Sequence, residues 1–295
     1  MPAKLHHSMV TGNTPMPFGE SLSPPEDGPA LPKYAVVIPA YNEAKTIRTV
    51  AEGALQCLSK VIVVDDGSVD DTFQALEGLP LTLLRHPTNL GKAASLWSGF
   101  QHALQQGSTA VVTLDGDGQH APEDIPFLLN AAEQAYNFII IGARTRPWTR
   151  AIWHRILANR IADFWISWAA GYPIEDSQSG FRVYPSALLY QVKLPTDRKN
   201  SFVFESEILI EGANLGFRSL PLPIESEPRA LPRPSYFRPI VDISRITIMV
   251  GKRLLSEGMA PRKLLSAVLG HVFDNPLPNL PHLTHVPQPE KYKRP

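Results

Sequence analysis

Short apolar runs that alternate with stretches of helical spacing constrain this chain more than any other feature of its sequence. Residues 34–38, Tyr-Ala-Val-Val-Ile, are apolar throughout and stop at Pro39, as a strand buried on both faces does. Ile47, Val50, Ala51, Ala54, Leu55 and Leu58 then recur at the spacing of an amphipathic helix. Residues 61–64 predict a second strand, closed by Asp65-Asp66-Gly67, and Asp70 and Asp71 can cap a short helix after it. Three further strands are predicted over 81–84, 110–114 and 138–142, with helices over 91–106 and about 123–135. This β-α-β-α order implies an α/β fold with a mostly parallel central sheet flanked by helices. Ligands of such sheets bind outside the carboxyl ends of the strands. The polar clusters stand at those ends: Asn42-Glu43, Asp65-Asp66, Asn89 to Lys92, and Asp115 to His120.

Composition narrows the class. A hydrophobic content of 43% supports a real core, and 28 basic residues balance 28 acidic ones. That balance removes the electrostatic case for a nucleic-acid partner. A single cysteine, Cys57, excludes an intramolecular disulfide framework and a Cys-rich zinc site. No apolar run reaches the roughly 18–20 residues that span a bilayer. The first twenty residues lack a signal-peptide pattern. These features predict a cytoplasmic protein, or one peripheral on the cytoplasmic membrane face. Of 29 prolines, many crowd the two ends. The expected division is a Pro-rich disordered tail over 1–32, a main α/β domain over 33–230, an amphipathic helical segment over 231–272 and a second Pro-rich tail over 273–295.

The carboxylates that follow the strands carry the chemistry. Asp115-Gly-Asp117-Gly-Gln119 directly follows an apolar strand. Asp-x-Asp in a loop can hold one hard divalent cation and leave positions open for phosphate oxygens. Gly116 and Gly118 allow the tight turn, and Gln119 or His120 can add or position a ligand. The alternative is a polar turn of the kind any strand end carries. Asp65-Asp66-Gly-Ser68 is open in the same way: a ribose or base contact, or a turn with a helix cap. Neither nucleotide fingerprint is present. No G-x-G-x-x-G follows the first strand, and Gly91-Lys92 lacks the upstream glycine of a P-loop.

Taken in order, Pro39-Ala-Tyr-Asn-Glu43, Val63-Val-Asp-Asp-Gly-Ser68, Asn89-Leu-Gly-Lys92 and Asp115-Gly-Asp-Gly-Gln-His120 resemble the family 2 glycosyltransferases of GT-A fold. Ile141-Gly-Ala-Arg144, Asn159-Arg160 and Asp176-Ser-Gln-Ser-Gly-Phe-Arg-Val-Tyr184 resemble the branch of dolichyl-phosphate mannose synthases and polyprenyl-phosphate glycosyltransferases. The likeness covers about residues 34–225. It implies a metal-dependent, inverting hexosyltransferase that moves a sugar from a nucleotide-diphosphate donor to a lipid acceptor such as polyprenyl phosphate. Under it, Pro39, Tyr41, Asn42 and Glu43 line the nucleotide pocket, and Asp66 meets the base or ribose. Asp115, Asp117 and Gln119 hold Mg²⁺ or Mn²⁺ against the diphosphate. Arg144, with Arg155 or Arg160, faces the acceptor phosphate. Gln178, Ser179 and Arg182 close the sugar side. Lys92 either touches the diphosphate or is a solvated residue at a helix start.

The acceptor class decides what else is needed. A lipid phosphate is largely ionised at neutral pH and needs arginines to position it, not a strong base. A hydroxyl acceptor on a glycan, glycolipid or small molecule needs a base in reach, and Asp176 or Glu175 is the candidate. A third reading is a GT-A module that binds nucleotide-sugar or lipid without transferring. Residues 151–170, with Trp153, Phe164, Trp165 and Trp168 among Arg155 and Arg160, can lie in a bilayer interface or simply pack on the core. The same two readings hold for residues 239–256, where Ile240, Ile243, Ile246, Ile248, Met249 and Val250 accompany Arg238, Arg245, Lys252 and Arg253.

Overall fold

A computed structural model of the protein describes residues 33–144, 153–194, 203–225, 239–256 and 258–269. The two Pro-rich end segments lie outside the described residues, as do the side chains of Trp153, Arg155, Ile240 and Ile243. The predicted alternation is present: β1 (Tyr34–Ala40), α1 (Ile47–Cys57), β2 (Val61–Asp65), β3 (Thr82–Arg85), α2 (Lys92–Gln105), β4 (Ala110–Thr113), α3 (Ile125–Gln134) and β5 (Phe138–Arg144). There follow α4 (Trp153–Ala170), β6 (Arg182–Pro185), α5 (Ser186–Gln191), α6 (Phe204–Asn214), β7 (Arg218–Ile224), α7 (Pro239–Ser256) and α8 (Pro261–Leu269). The short helix expected after Asp71 is a 3₁₀ turn, and no side chain caps it. Asp70 instead accepts from the amides of Thr72 at 3.0 Å and Ala44 at 3.3 Å, which ties the loop after β2 to the loop after β1.

The described strands form one sheet in the order β3-β2-β1-β4-β6-β5-β7. Every neighbouring pair is parallel except those made by β6, which runs antiparallel to both β4 and β5. Successive strand residues point to opposite faces, so each apolar run feeds two cores. Ala35, Val37, Ile62, Val64 and Val111 pack beneath α2, α4 and α6, among Leu96, Phe100, Ile166 and Leu209. Val36, Ile38, Val61, Val63 and Val112 pack on α1 and α3, among Ile47, Val50, Ala54 and Leu128. Each fully buried Val, Leu or Ile contributes about 1.5–3 kcal/mol, which explains runs with no polar interruption. In α7, Ile246, Val250 and Leu254 are buried in the first of these cores, so this face of the helix has the plain packing role.

The reversal of β6 positions the site. An antiparallel strand begins where its parallel neighbours end. The segment 176–181 that leads into β6 therefore arrives at the carboxyl edge of β4 and β5. Arg182 is level with Thr113 of β4 and Ile141 of β5, beside the stretches that run on to Asp115 and Arg144.

Candidate active site

Three loops converge at the carboxyl edge of the sheet. The loop after β1 is stitched to the loop after β2: Asn42 N donates to Ser68 Oγ at 2.9 Å, Val69 N to Asn42 Oδ1 at 3.0 Å and Glu43 N to Thr72 Oγ1 at 2.7 Å. Asn42 takes a left-handed φ of 55°, which an asparagine tolerates. Pro39, Tyr41, Asn42 and Glu43 are all half-buried at this rim. Thr46 Oγ1 donates to Gly116 O at 2.7 Å, fixing the Asp115–Asp117 turn against the start of α1. Within that turn Gly118 has φ of 71°, and Gln119 N donates to Asp117 Oδ1 at 3.1 Å.

Asp115 is the hub. Lys92, the first residue of α2, places Nζ 2.7 Å from Asp115 Oδ1 and 2.9 Å from Glu205 Oε2. Burial alone would raise the Asp115 pKa, but the ammonium of Lys92 holds it below the usual carboxylate range. Burial alone would lower the Lys92 pKa, and the two carboxylates raise it instead. Lys92 is therefore no solvated helix-start residue. Gly180 packs its backbone on the Asp115 carboxylate so closely that a Cβ there would collide with it. Thr113 Oγ1 holds that approach by donating to Gly180 O at 2.8 Å. His120 is buried and tilted against Phe181 with ring centroids 5.5 Å apart. Burial lowers its pKa, and it feels the charges of Asp115, Arg144, Asp117 and Asp176. Its Nδ1 has no hydrogen-bond partner among the described residues.

On the far side, Arg144 closes β5 and is clamped by Asp176. Its Nε and its backbone N each donate to Asp176 Oδ2 at 2.8 Å, and Nη2 donates to Oδ1. Burial works against the charged guanidinium, but this carboxylate raises the Arg144 pKa. Arg144 and Asp176 thus form one unit rather than two rival groups, and a carboxylate so paired is a poor general base. Asp176, the candidate base for a hydroxyl acceptor, is held as the partner of Arg144. Glu175 is exposed. Asp163 of α4 accepts from Ser177 N at 2.8 Å and from its Oγ, and burial pushes its pKa up to about 6.

Several expected contacts have other tasks. Asp66 is buried, with Oδ1 accepting from Leu90 N at 2.9 Å and paired with His86 Nδ1 at 2.7 Å, and Oδ2 accepting from Gly91 N at 2.8 Å. Its carboxylate holds the turn that presents Lys92. Its neighbour Asp65 meets Arg85 Nε at 3.1 Å as an ion pair outside hydrogen-bond geometry. Arg182 is fully buried and donates to three backbone carbonyls, Ser179 O at 2.8 Å, Ser177 O at 2.6 Å and Glu205 O at 2.7 Å, and to Tyr184 Oη at 3.0 Å. Ser179, also fully buried, donates to Gly142 O at 2.7 Å. These two brace the segment before β6. Gln178 is half-buried, its Nε2 3.2 Å from Ser177 Oγ. Arg160 is exposed on α4, and the Arg155 side chain lies outside the described residues.

The sequence matches the family described as glycosyl transferase family 2 over residues 35–191. The chain belongs to that family. It is a family 2 glycosyltransferase, and its relatives include a polyprenol monophosphomannose synthase of Mycolicibacterium smegmatis, 27% identical over 66% of this chain and 78% of the relative. An undecaprenyl-phosphate mannosyltransferase of Micrococcus luteus is 29% identical over 68% of this chain and 85% of the relative. Among solved structures, glucosyl-3-phosphoglycerate synthase of Mycobacterium tuberculosis in complex with Mg²⁺ and UDP superposes with a TM-score of 0.57. It is 20% identical and covers 76% of this chain and 79% of that one, a likeness that shows the GT-A fold.

The donor set suits a divalent cation shared with a ligand. Among the described residues no three His, Cys, Asp or Glu side chains come together as a metal cage. Asp115 and Asp117 offer two carboxylates on one short turn, and Asp115 already draws in a cation, the Lys92 ammonium. Two carboxylates plus substrate phosphates is the ordinary way Mg²⁺ is held. Glu205, Asp163 and His86 were not picked out from the sequence. Glu205 and Asp163 sit within helical stretches, where an acidic residue looks like part of a solvated face.

Proposed function

We propose that this glycosyltransferase moves a sugar from a nucleoside-diphosphate donor onto a polyprenyl phosphate, with Asp115, Asp117 and Gln119 holding Mg²⁺ or Mn²⁺. The observation that carries the reading is the Arg144–Asp176 clamp: a buried guanidinium beside the donor carboxylates, with the nearby carboxylate fully engaged. Two of its relatives, a polyprenol monophosphomannose synthase and an undecaprenyl-phosphate mannosyltransferase, point the same way.

The residues divide the work. The rim of Pro39, Tyr41, Asn42 and Glu43 receives the nucleoside. Asp117 and Asp115 anchor the cation, which when bound supplies positive charge against the leaving diphosphate. Asp176 fixes the Arg144 fork so that its remaining edge meets the acceptor phosphate, a geometry that arginine serves better than lysine. The acceptor oxygen is already ionised and attacks the anomeric carbon as the bond from that carbon to the diphosphate oxygen breaks. A single displacement of this kind inverts the anomeric centre, and no proton has to be removed.

The acceptor's lipid tail implies a membrane surface. No helix of the described residues is long and apolar enough to cross a bilayer. On α4, Leu157, Ile161 and Phe164 are 41–47% exposed and share one face, with Arg160 beside them. Leu265, Val268 and Leu269 of α8 are also exposed. Such faces suit peripheral association with an anionic surface.

The test is transfer from a panel of labelled nucleotide-sugars by the purified full chain with Mn²⁺ or Mg²⁺. Polyprenyl phosphate and a water-soluble alcohol are offered as acceptors. Product on the lipid phosphate only is expected. Efficient glycosylation of the alcohol with polyprenyl phosphate ignored would establish the hydroxyl reading. No metal-dependent turnover with any donor would leave a binding module.

A further inference from the structure

The Lys92 ammonium stands between two carboxylates, 2.7 Å from Asp115 Oδ1 and 2.9 Å from Glu205 Oε2. Asp115 is one of the two groups assigned above to a divalent cation, so the same oxygen has two candidate counter-ions. An ammonium and a divalent cation that both sit against it repel each other, because like charges a few ångströms apart in a partly buried site are little screened. Glu205 lies in the first turn of α6, where an acidic residue is favoured by the helix dipole. Arg182 anchors that turn by donating to Glu205 O at 2.7 Å. Glu205 Oε1 is buried and has no hydrogen-bond partner among the described residues, so the carboxylate has an acceptor in reserve.

We propose that Lys92 is a tethered counter-cation shared by Asp115 and Glu205, and that Glu205 takes it over when Asp115 engages the divalent cation of the donor complex. Lys92 neutralises Asp115 in the empty site and keeps free metal from binding tightly ahead of the nucleotide. Once released, Lys92 is held by Glu205 at the rim of the diphosphate position, where a positive charge is useful. Asp66 and His86 support the device, because Asp66 holds the amides of Leu90 and Gly91 that lead into Lys92. Glu205 is a positioning residue here, acting through Lys92. The proposal rests on the metal reading of Asp115 and Asp117.

The experiment measures Mn²⁺ affinity by electron paramagnetic resonance of the full-length protein, with Mn²⁺ alone and with Mn²⁺ plus UDP or GDP. Without nucleotide, Lys92→Met is expected to bind Mn²⁺ about tenfold more tightly than wild type, since a charged competitor on one ligand is removed. Glu205→Gln is expected to bind it about tenfold more weakly, since Lys92 then has no second partner. The double variant decides between handover and a simple field effect. In the Lys92→Met background, Glu205→Gln is expected to change Mn²⁺ affinity less than twofold. An equal loss in both backgrounds means that Glu205 acts only by its charge and overturns the handover. So does an unchanged affinity in all three variants while Asp117→Asn abolishes binding. If Mn²⁺ shows no Asp117-dependent binding with or without nucleotide, the metal reading fails as well. The double variant also removes the opposed carboxylate charges that Lys92→Met leaves behind, so it keeps the test open if that single variant folds poorly.

Discussion

Arg144 and Asp176 form a two-point ion pair at the candidate site, with a third bond from the Arg144 backbone amide to the same carboxylate. Asp176 holds this position with a left-handed φ of 48°. We expect Arg144→Lys to raise the apparent KM for polyprenyl phosphate at least about tenfold, because a point charge cannot replace the fork. Asp176→Asn should also weaken acceptor use, by loosening the fork. The double variant should be little worse than the worse single one, as members of one unit are not additive. Steady-state kinetics over acceptor concentration check this, and additive losses would separate the two roles again.

Asp117→Asn should reduce transfer by at least about 10²-fold, the scale on which a main electrostatic stabiliser acts. The fold should be intact, since an asparagine Oδ1 can still accept from Gln119 N. Circular dichroism and single-turnover assays on the same preparation test both halves. Full activity of the variant, or of the wild type in excess chelator, would exclude the metal role.

Gly180→Ala should cripple the site from the backbone side. A methyl group there meets the Asp115 carboxylate and forces it away from Lys92 and from the Asp117 turn. The expected result is loss of transfer of at least about tenfold, since misplacing a reacting group by a full ångström can cost about 10²-fold. Activity close to wild type would show that Asp115 has more room than its packing indicates.

Arg182→Met should act on stability rather than on substrate binding. It leaves the carbonyls of Ser177, Ser179 and Glu205 without their donor inside the core. Each buried unsatisfied group costs about 1–3 kcal/mol, so a loss of at least ~3 kcal/mol in urea unfolding is expected. A stable variant with raised donor KM would return Arg182 to the substrate.

Asp163→Asn tests the pH dependence of the fold. The Asp163 pKa is pushed up to about 6 from 3.8, so the folded state holds this proton more tightly than the unfolded chain. Below pH ~4 both states are protonated and nothing is lost. Above pH ~6 both are ionised and the folded state carries the full penalty, so stability falls as pH rises through that window. Asparagine keeps an acceptor for Ser177 without the charge. The variant should melt about 2–4 °C above wild type at pH 8, the equivalent of 1 kcal/mol for a chain of this size, and equally with it at pH 3, below both pKa values. A constant difference at both values would place the effect elsewhere.

Much of the first half was legible in the residues themselves. The apolar runs at 34–38, 61–64 and 138–142 need burial on both faces, and they stand as β1, β2 and β5. Local spacing encodes burial, and a parallel sheet follows from alternating elements. The Asp115–Asp117 turn and Arg144 also showed, because chemistry-bearing residues at strand ends are unusual in composition. Glu205 did not, since within Phe204–Asn214 it is one acidic residue among several in a helix. Its role comes from Lys92, 113 positions earlier in the chain, and no periodicity links the two.

The sequence by itself determined the alternating elements, the family and the places where carboxylates leave the sheet. Tertiary structure alone decided which of those groups meet. The antiparallel course of β6 between β4 and β5 carries Asp176, Gly180 and Arg182 to the edge where Asp115 and Arg144 end their strands. It also gives similar side chains different surroundings. Arg144 and Arg182 are both arginines in recognisable motifs, yet one is clamped at the site and the other is sealed among backbone carbonyls. Strand direction and ion-pair partners depend on the path of the whole chain. Residue spacing reports only on the few neighbours that share one turn or one strand.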